Sequence, residues 1–337
     1  GAPGAADVGT ADTGSAEPDA TEPDATETVA ELAGLLRTAA ELDPAPEAPD
    51  DPPKLAVSNR LWVWRALAVR PGFPEELATW PGGTVATALF PEDPEDTRAE
   101  INADVARTTR DLIPELLPPG SIDGDTVAGL VNALYLRVAW TYPFRADDTG
   151  PGDFHGPSGT RQVPMMRQTE TLGYAEHAGW RLVTLPAVGG VRATVLLPDR
   201  PLAEQEPGLD ADTLAELLAA ERQARVELTL PRLTLDTRGG LRSALASLGV
   251  RTMFRAGSDF GELSDDPRLT VSDVLHESVL RVDESGLEGA AATAATMRLV
   301  SAPSGQPVTV TVDRPFLLLV RHAATGVVYF LARVVEP

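Results

Sequence analysis

One stretch of the sequence restricts the fold more than any other. Residues Val127–Trp140 read VAGLVNALYLRVAW, a nearly continuous apolar run in which Arg137 is the only charge. A strand with both faces buried shows such a run, whereas a strand with one face in water alternates apolar and polar residues. We therefore expect Val127–Trp140 to form a strand in the centre of a large sheet, covered on both sides.

The segments around this run alternate between helical and extended patterns. Apolar residues recur at helical spacing in Thr26–Leu42 and Thr97–Leu117. The strand-like segments are Leu55–Arg65, Arg181–Pro198 (a hairpin around Gly189-Gly190), Arg225–Leu235, Leu269–Asp283 and Val308–Val334. Because these elements are not in strict βαβ order, the predicted fold class is α+β.

The N-terminal region differs in composition from the rest. Residues 1–53 carry 13 Asp and Glu against one Arg, a net charge of −12 out of −22 for the chain. Residues 1–25 have almost no large apolar side chains, so they cannot bury enough surface to offset their chain entropy. We expect 1–25 to be an acidic, low-complexity, disordered tail, with a partner-binding tail as the alternative. The proline-rich residues 43–53 indicate a linker.

Composition also excludes several kinds of chemistry. The chain has no Cys, which removes disulfides, thiol nucleophiles and thiolate metal sites, and Lys54 is its only lysine. Pro53 precedes Lys54, so no Gly-Lys phosphate loop exists. The net charge of −22 argues against nucleic acid and anionic membranes as partners. The histidines lack ligand spacing, so we expect no metal and no cofactor. We also expect neither a membrane span nor a signal peptide in these residues.

A series of short motifs gives a more specific indication. The run Asn132–Trp140, followed by Pro143-Phe144, resembles the central strand of the serpin family. Further matches follow in the family's order: Ser58–Leu61, Ile101-Asn102, Leu116–Asp123, Val163–Met166, Leu185-Pro186, Leu196–Asp199, Leu230–Leu233, Leu248–Val250, Phe254, Asp259-Phe260, Val274–His276, Val282–Gly286, Asp313–Phe316, Thr325-Gly326 and Pro337. The chain thus resembles a bacterial-type serpin over residues 26–337.

The resemblance implies a fold and a mechanism. The fold is serpin-like, with three β-sheets surrounded by helices and an exposed reactive loop near the C-terminus, here about residues 284–307. A serpin is a suicide inhibitor of serine proteases and not an enzyme. Its loop is cleaved and then inserts into the large sheet as an extra strand. The family also implies an extracellular location, and we expect a monomer.

The loop residues suit insertion. The hinge implied by the resemblance consists of Glu284, Gly286, Leu287, Glu288, Gly289, Ala290 and Ala291. Small side chains can slide into a sheet, and alternation would place Leu287 on one face and Glu288 on the solvent face. The alanine-rich run alone would favour a surface helix, but the flanking motifs favour the loop.

Counting forward from Glu284 places the cleaved bond at Val300–Ser301, which suits an elastase-like protease. The alternative is Arg298–Leu299, which suits a trypsin-like protease. Leu287 departs from the small residue that is usual in the family, and its bulk would slow insertion. A non-inhibitory or degenerate serpin-fold protein, such as a carrier or relic, is therefore the alternative function. An unrelated hydrolase has no supporting motif.

Three further residues match positions that matter for insertion in serpins. His276 would hydrogen-bond to Asn132 beneath the sheet, in the shutter region, and Trp140 would cap the upper end of the sheet. The N-terminal helices that cover this region in the family are missing from residues 1–25. We expect the chain to be incomplete on its N-terminal side, the alternatives being a decayed member or one that relies on another chain.

Overall fold

The computed structural model describes residues 25–43, 53–255, 260–266, 269, 271, 274–287 and 306–337. The expected tail up to residue 24, most of the expected linker and most of the expected loop lie outside these residues. The helices of the described part are α1 (Ala25–Ala40), α2 (Gly72–Leu77), α3 (Pro94–Thr108), α4 (Leu202–Gln205), α5 (Ala211–Ala219) and α6 (Arg242–Ser247).

The strands of the described part are β1 (Lys54–Trp64), β2 (Gly83–Ala88), β3 (Ala128–Ala139), β4 (Gly150–Gly156), β5 (Gly159–His177), β6 (Trp180–Ala187), β7 (Val191–Pro198), β8 (Arg222–Pro231), β9 (Leu233–Gly240), β10 (Leu275–Val282), β11 (Gly286–Leu287), β12 (Val308–Thr311), β13 (Phe316–His322) and β14 (Val328–Val334). This mixture of strands and helices confirms the α+β class.

Over the described residues, these strands form two hydrogen-bonded sheets. The six-stranded sheet has the order β2-β1-β3-β11-β10-β9, and the eight-stranded sheet has the order β12-β8-β5-β6-β7-β13-β14, with β4 paired to β5. The family resemblance implies three sheets. Here the long strand β5 pairs with β4 and β8 and, at its other end, with β6, so it joins two groups of strands into one sheet.

The main hydrophobic core lies between the two sheets. It includes Val138, Leu280 and Leu287 from the six-stranded sheet and Val195 and Leu318 from the eight-stranded sheet, all 5 % exposed or less. Burial of apolar surface is the dominant favourable contribution to folding. The six-stranded sheet thus packs on the eight-stranded sheet over part of its inner face.

The apolar run of the central strand forms β3, as predicted, but it is covered on both faces only in its second half. Leu130 is 68 % exposed and Asn132 is also exposed, whereas Leu136 and Val138 are buried. The prediction of two covered faces is therefore wrong for the first half. The side chain of Leu130 has nothing packed over it in the described part of the chain, so hydrophobicity alone did not predict its burial.

The exposed half of β3 borders an apolar groove. Its floor is formed by β1 and β3, including Leu130 and Leu134, and its walls by Leu36 of α1 and Val328 of β14. The volume is about 450 Å³. Leu130 and Leu134 alternate in step with Leu136 and Val138, so the groove opens on the same face of the six-stranded sheet that packs on the main core further along β3.

The predicted helix Thr97–Leu117 is shorter at its C-terminal end than expected. Asp93 caps α3 by accepting a hydrogen bond from the Asp96 N–H at 3.1 Å. The helix ends at Thr108, and Arg110 and Asp111 follow with left-handed φ values of 52° and 61°. A helix cannot continue through such residues, so the prediction beyond Thr108 is wrong.

Two strand predictions had different outcomes. The hairpin Arg181–Pro198 is confirmed as β6 and β7, with φ values of 80° and 72° at Gly189 and Gly190. The segment Arg225–Leu235 is two strands instead of one, because the chain leaves the eight-stranded sheet at Pro231 and enters the six-stranded sheet at Leu233. Helices in the described ranges are too short or too polar to cross a membrane.

Candidate functional site

The candidate site is a tight turn at one end of the six-stranded sheet. After β10 the chain reverses and returns as β11, which lies between β3 and β10. Gly286 is in register with Ala139, Leu287 with Val138, and Leu287 also with Val282. The first residues of the expected exposed loop are therefore part of the sheet, which corrects the prediction that the loop is exposed from residue 284.

The sequence of the turn explains its conformation. The Asp283 carboxylate accepts hydrogen bonds from the backbone N–H groups of Ser285 at 2.8 Å and Gly286 at 3.2 Å. Such bonds are typical of aspartate at a turn. A Cβ on Gly286 would lie 2.1 Å from the Val138 carbonyl oxygen, so only glycine permits this close approach of β11 to β3.

The end of β3 holds the turn from the other side. The Trp140 backbone N–H donates to the Ser285 carbonyl oxygen at 2.9 Å, and the Trp140 Nε1–H donates to the Asp283 carbonyl oxygen at 2.8 Å. The Phe144 N–H donates to the Glu284 carbonyl oxygen at 2.9 Å. Each turn carbonyl thus has a fixed partner, as buried backbone groups require.

Glu284 forms a charged contact beneath the turn. Its Oε1 accepts hydrogen bonds from Arg232 Nη2 at 2.6 Å and from Thr149 Oγ1 at 2.7 Å. Burial raises the pKa of Glu284, but the hydrogen bonds from Arg232 and Thr149 lower it by more, so the pKa lies below the ordinary value for glutamate. Glu284 is thus held in its charged form, joined to the residue that connects β8 to β9.

Leu287 lies directly after the turn and is fully buried. Its side chain belongs to the main core cluster together with Val138, Leu280 and Val282. The structure therefore accommodates the bulk of Leu287 on the inner face of the sheet, which is the face opposite to solvent.

The predicted site residues are brought together only in part. Glu284, Gly286, Leu287 and Trp140 meet at the turn. The remaining hinge and reactive-bond residues lie outside the described residues: Glu288, Gly289, Ala290, Ala291, Arg298, Leu299, Val300 and Ser301.

The expected pair of Asn132 and His276 is not formed in the described part of the structure. Asn132 Nδ2 donates to Asn59 Oδ1 at 2.6 Å, and the His276 side chain is exposed on β10. In the described residues, the Asn132 side chain is therefore bonded to the neighbouring strand β1 and not to β10.

Sequence reasoning missed the partners of the turn. Arg232 and Thr149 are 52 and 135 residues away from Glu284 in the chain, and no local pattern links them. Asp283 did have a signal, since Asp followed by Ser and Gly is typical of a turn. Across the described ranges, no three His, Asp or Glu side chains are arranged to hold a metal ion.

Comparison with known proteins now assigns the chain to a family. The family model described as Serpin (serine protease inhibitor) matches residues 15–337. The chain belongs to the serpin family. Serpins are protease inhibitors and not enzymes, they generally target serine proteases, and they are often secreted. The match begins at residue 15, before the domain start at residue 26 that the motifs suggested.

Individual serpins agree with this assignment. Iris from Ixodes ricinus is 32 % identical over 289 residues, covering 84 % of this chain and 77 % of Iris. Plasminogen activator inhibitor 2 from Homo sapiens is 33 % identical over 261 residues, covering 74 % of this chain and 62 % of that protein. The structure of thyroxine-binding globulin in complex with thyroxine superposes with a TM-score of 0.79 at 22 % identity, over 93 % of this chain and 82 % of that one. At that identity the likeness shows the fold alone.

Proposed function

We propose that this serpin is a suicide inhibitor of serine proteases whose cleaved loop inserts into the six-stranded sheet. The observation that carries the proposal is the position of β11. Gly286 and Leu287 pair with β3 and β10 at the point where an inserted strand would begin. The residues from Gly289 to Ala295 have small side chains, which suits the continuation of that strand.

The covalent step is the acyl transfer used by serine proteases. The protease serine oxygen attacks the carbonyl carbon of Val300, and the bond from that carbon to the Ser301 nitrogen breaks. The proton of the serine passes through the protease histidine to the new amine of Ser301. An ester then links Val300 to the protease, and insertion of the chain before Val300 would distort the protease before water hydrolyses the ester.

Incubation with elastase-like and trypsin-like serine proteases tests the proposal. We expect an SDS-resistant adduct and a released C-terminal peptide, whose mass identifies Val300–Ser301 or the alternative Arg298–Leu299. Val300→Asp should abolish the adduct with an elastase-like enzyme, whereas Arg298→Ala should leave it intact. Proteases with a blocked active-site serine are the control. If every active protease only cleaves the loop and none is trapped, the proposal is wrong for those targets.

The second candidate is a serpin that does not inhibit, such as a carrier or a relic. One observation favours it, the open apolar groove beside Leu130. Thyroxine-binding globulin has the same fold and was solved with thyroxine bound. Cleavage of the loop separates the candidates, because insertion of the cut loop would raise the Tm and a protein unable to insert it would show no rise.

Within the proposed mechanism, the predicted hinge and sheet residues have separate roles. Glu284 and Trp140 hold the turn, while Asn132 and His276 line the path along which the inserted strand extends. We expect the inhibitor to act outside the cell as a monomer, which size-exclusion chromatography with light scattering would verify.

A further inference from the structure

A small pocket lies where β1 begins, at one end of the six-stranded sheet. Its volume is about 340 Å³. Two of the side chains that line it are cations: Lys54, the only lysine of the chain, and Arg110, which follows α3. The side chain of Tyr135, 3 % exposed, forms part of the wall. The pocket therefore presents positive charge in a chain whose net charge is −22.

Strand pairing fixes the position of Lys54. Lys54 is in register with Arg137, and Ala56 is in register with Tyr135. Directly opposed residues of antiparallel strands have their side chains on the same face, and like charges in such a pair destabilise a sheet. Arg137 has a partner of its own, whereas Lys54 forms no ion pair with any residue that the structure describes. The charge of Lys54 is thus left uncompensated next to a second cation.

The end of α3 places Arg110 against the same pocket. The Arg110 Cζ lies 5.6 Å from the centroid of the Tyr135 ring. A cation is attracted to the face of an aromatic ring, but the ring does not neutralise its charge. Elsewhere beside α3, Arg60 pairs with Asp104 at 2.6 Å, whereas Arg110 has no ion pair over the described ranges. Two uncompensated cations therefore share one pocket.

We propose that this pocket binds a small anion that carries phosphate groups, held between the Lys54 ammonium and the Arg110 guanidinium. The guanidinium can donate two parallel hydrogen bonds to a phosphate, and the ammonium supplies a compact point charge. A nucleic acid would need a much wider basic surface. The bound anion would join the start of β1 to the segment after α3. The inference is independent of the proposed inhibitory function, since it concerns neither the loop nor its cleavage.

The single lysine makes the pocket directly measurable. An acetylating reagent modifies Lys54 and no other side-chain amine, and peptide mapping by mass spectrometry separates it from the α-amine. Calorimetry gives the Kd for inorganic pyrophosphate. At about ten times that concentration, about one tenth of the sites stay empty, so acetylation of Lys54 should slow about tenfold. Sodium chloride at the same ionic strength is the control for screening. Equal rates in the two salts overturn the proposal.

A substitution at Arg110 tests the second cation. Arg110→Gln should raise the Kd for pyrophosphate about tenfold or more, because a hydrogen bond between two charged groups is lost. Arg225→Gln, at an exposed position of β8, is the matched control and should leave the Kd unchanged. The Tm of each variant confirms that it folds. A Kd in Arg110→Gln equal to that of the control would show that pyrophosphate binds elsewhere, and the proposal would then be wrong.

The competing anion is the chain itself, since Asp50 and Asp51 shortly precede Lys54 in the sequence. The double variant Asp50→Asn, Asp51→Asn separates the two occupants in the same acetylation assay. Protection of Lys54 by pyrophosphate in both the unsubstituted chain and the double variant supports the proposal. Protection in the double variant alone overturns it, because carboxylates of the chain would then fill the pocket.

Discussion

The two sheets of this serpin differ in how completely they are enclosed. In the eight-stranded sheet, β7 and β13 are buried along their whole length apart from Arg192 and Arg321. In the six-stranded sheet, β9 is mostly exposed after Leu233, and the first half of β3 carries the exposed Leu130. Both sheets share one core, but among the strands compared here only β7 and β13 are covered on both faces along their length.

This difference indicates a division of roles. A sheet packed on both faces cannot separate two neighbouring strands without disrupting close-packed side chains. A sheet that is open on part of one face can do so with less disruption, and it is the six-stranded sheet that has β11 between β3 and β10. The eight-stranded sheet then serves as the rigid support for a sheet that changes.

The largest expected effect on the free energy of unfolding is in the eight-stranded sheet, which we interpret as the support. Phe316 is fully buried at the start of β13, so Phe316→Ala should lower the free energy of unfolding by about 3–5 kcal/mol. Leu331→Ala, on the neighbouring strand β14 but 66 % exposed, should change it by less than about 0.5 kcal/mol. Urea denaturation of both variants measures the difference. Equal losses would show that β13 is no more tightly packed than the outer strand.

An intermediate effect is expected at the turn of the six-stranded sheet. Glu284→Gln should destabilise the protein by about 1–3 kcal/mol, because a charged hydrogen-bond acceptor for Arg232 is lost. The pKa of Glu284 is lowered in the folded state. Its contribution to stability is therefore complete above the unfolded pKa of about 4.3 and is lost as the pH falls through the lower folded pKa.

The pH dependence of the Glu284 contribution is measured as the difference in unfolding free energy between two proteins. We expect the difference in unfolding free energy between the unsubstituted protein and Glu284→Gln to be constant near neutral pH and to shrink below about pH 4. Glu170→Gln, at an exposed position of β5, is the matched control. A difference that grows on acidification would contradict the assignment of a lowered pKa to Glu284.

The smallest expected effect on the free energy of unfolding is at the groove beside the first half of β3. Leu130→Ser replaces an exposed leucine beside the groove and should change the unfolding free energy by less than about 0.5 kcal/mol. A loss of about 2 kcal/mol or more would mean that Leu130 is covered in solution, and the contrast between the two sheets would then be smaller than the described residues indicate. The same urea titration serves all these variants.

Sequence patterns predicted the elements whose conformation is set by residues that are close together in the chain. The hairpin of β6 and β7 was predictable, because Gly189 and Gly190 supply the left-handed φ values of its turn. The end of α3 was not predictable, because the Asn102 side chain binds both the N–H and the carbonyl oxygen of Leu117, which is distant in the sequence. That contact folds an apparently helical segment back onto the helix.

The candidate site shows the same limit. Family motifs placed Glu284, Gly286 and Leu287 at the start of the loop, but periodicity could not show that Leu287 enters the core. That outcome depends on a strand position between β3 and β10, which exists only once both strands are assembled in the sheet. Likewise, Arg232 became a partner of Glu284 through the crossing from β8 to β9, a contact set by tertiary structure.

The crossing at Arg232 connects the two sheets, so that the chain and its strand pairs form a ring that begins and ends at Leu287. From Leu287 the chain continues to β12, which lies parallel to β8, and β8 passes through Arg232 into β9, which pairs with β10. β10 leads back to Leu287 through the turn that contains Glu284. A pulling force on the chain between β11 and β12 therefore acts on both strands at once. The Arg232–Glu284 ion pair at 2.6 Å joins the β8–β9 crossing to the turn before β11.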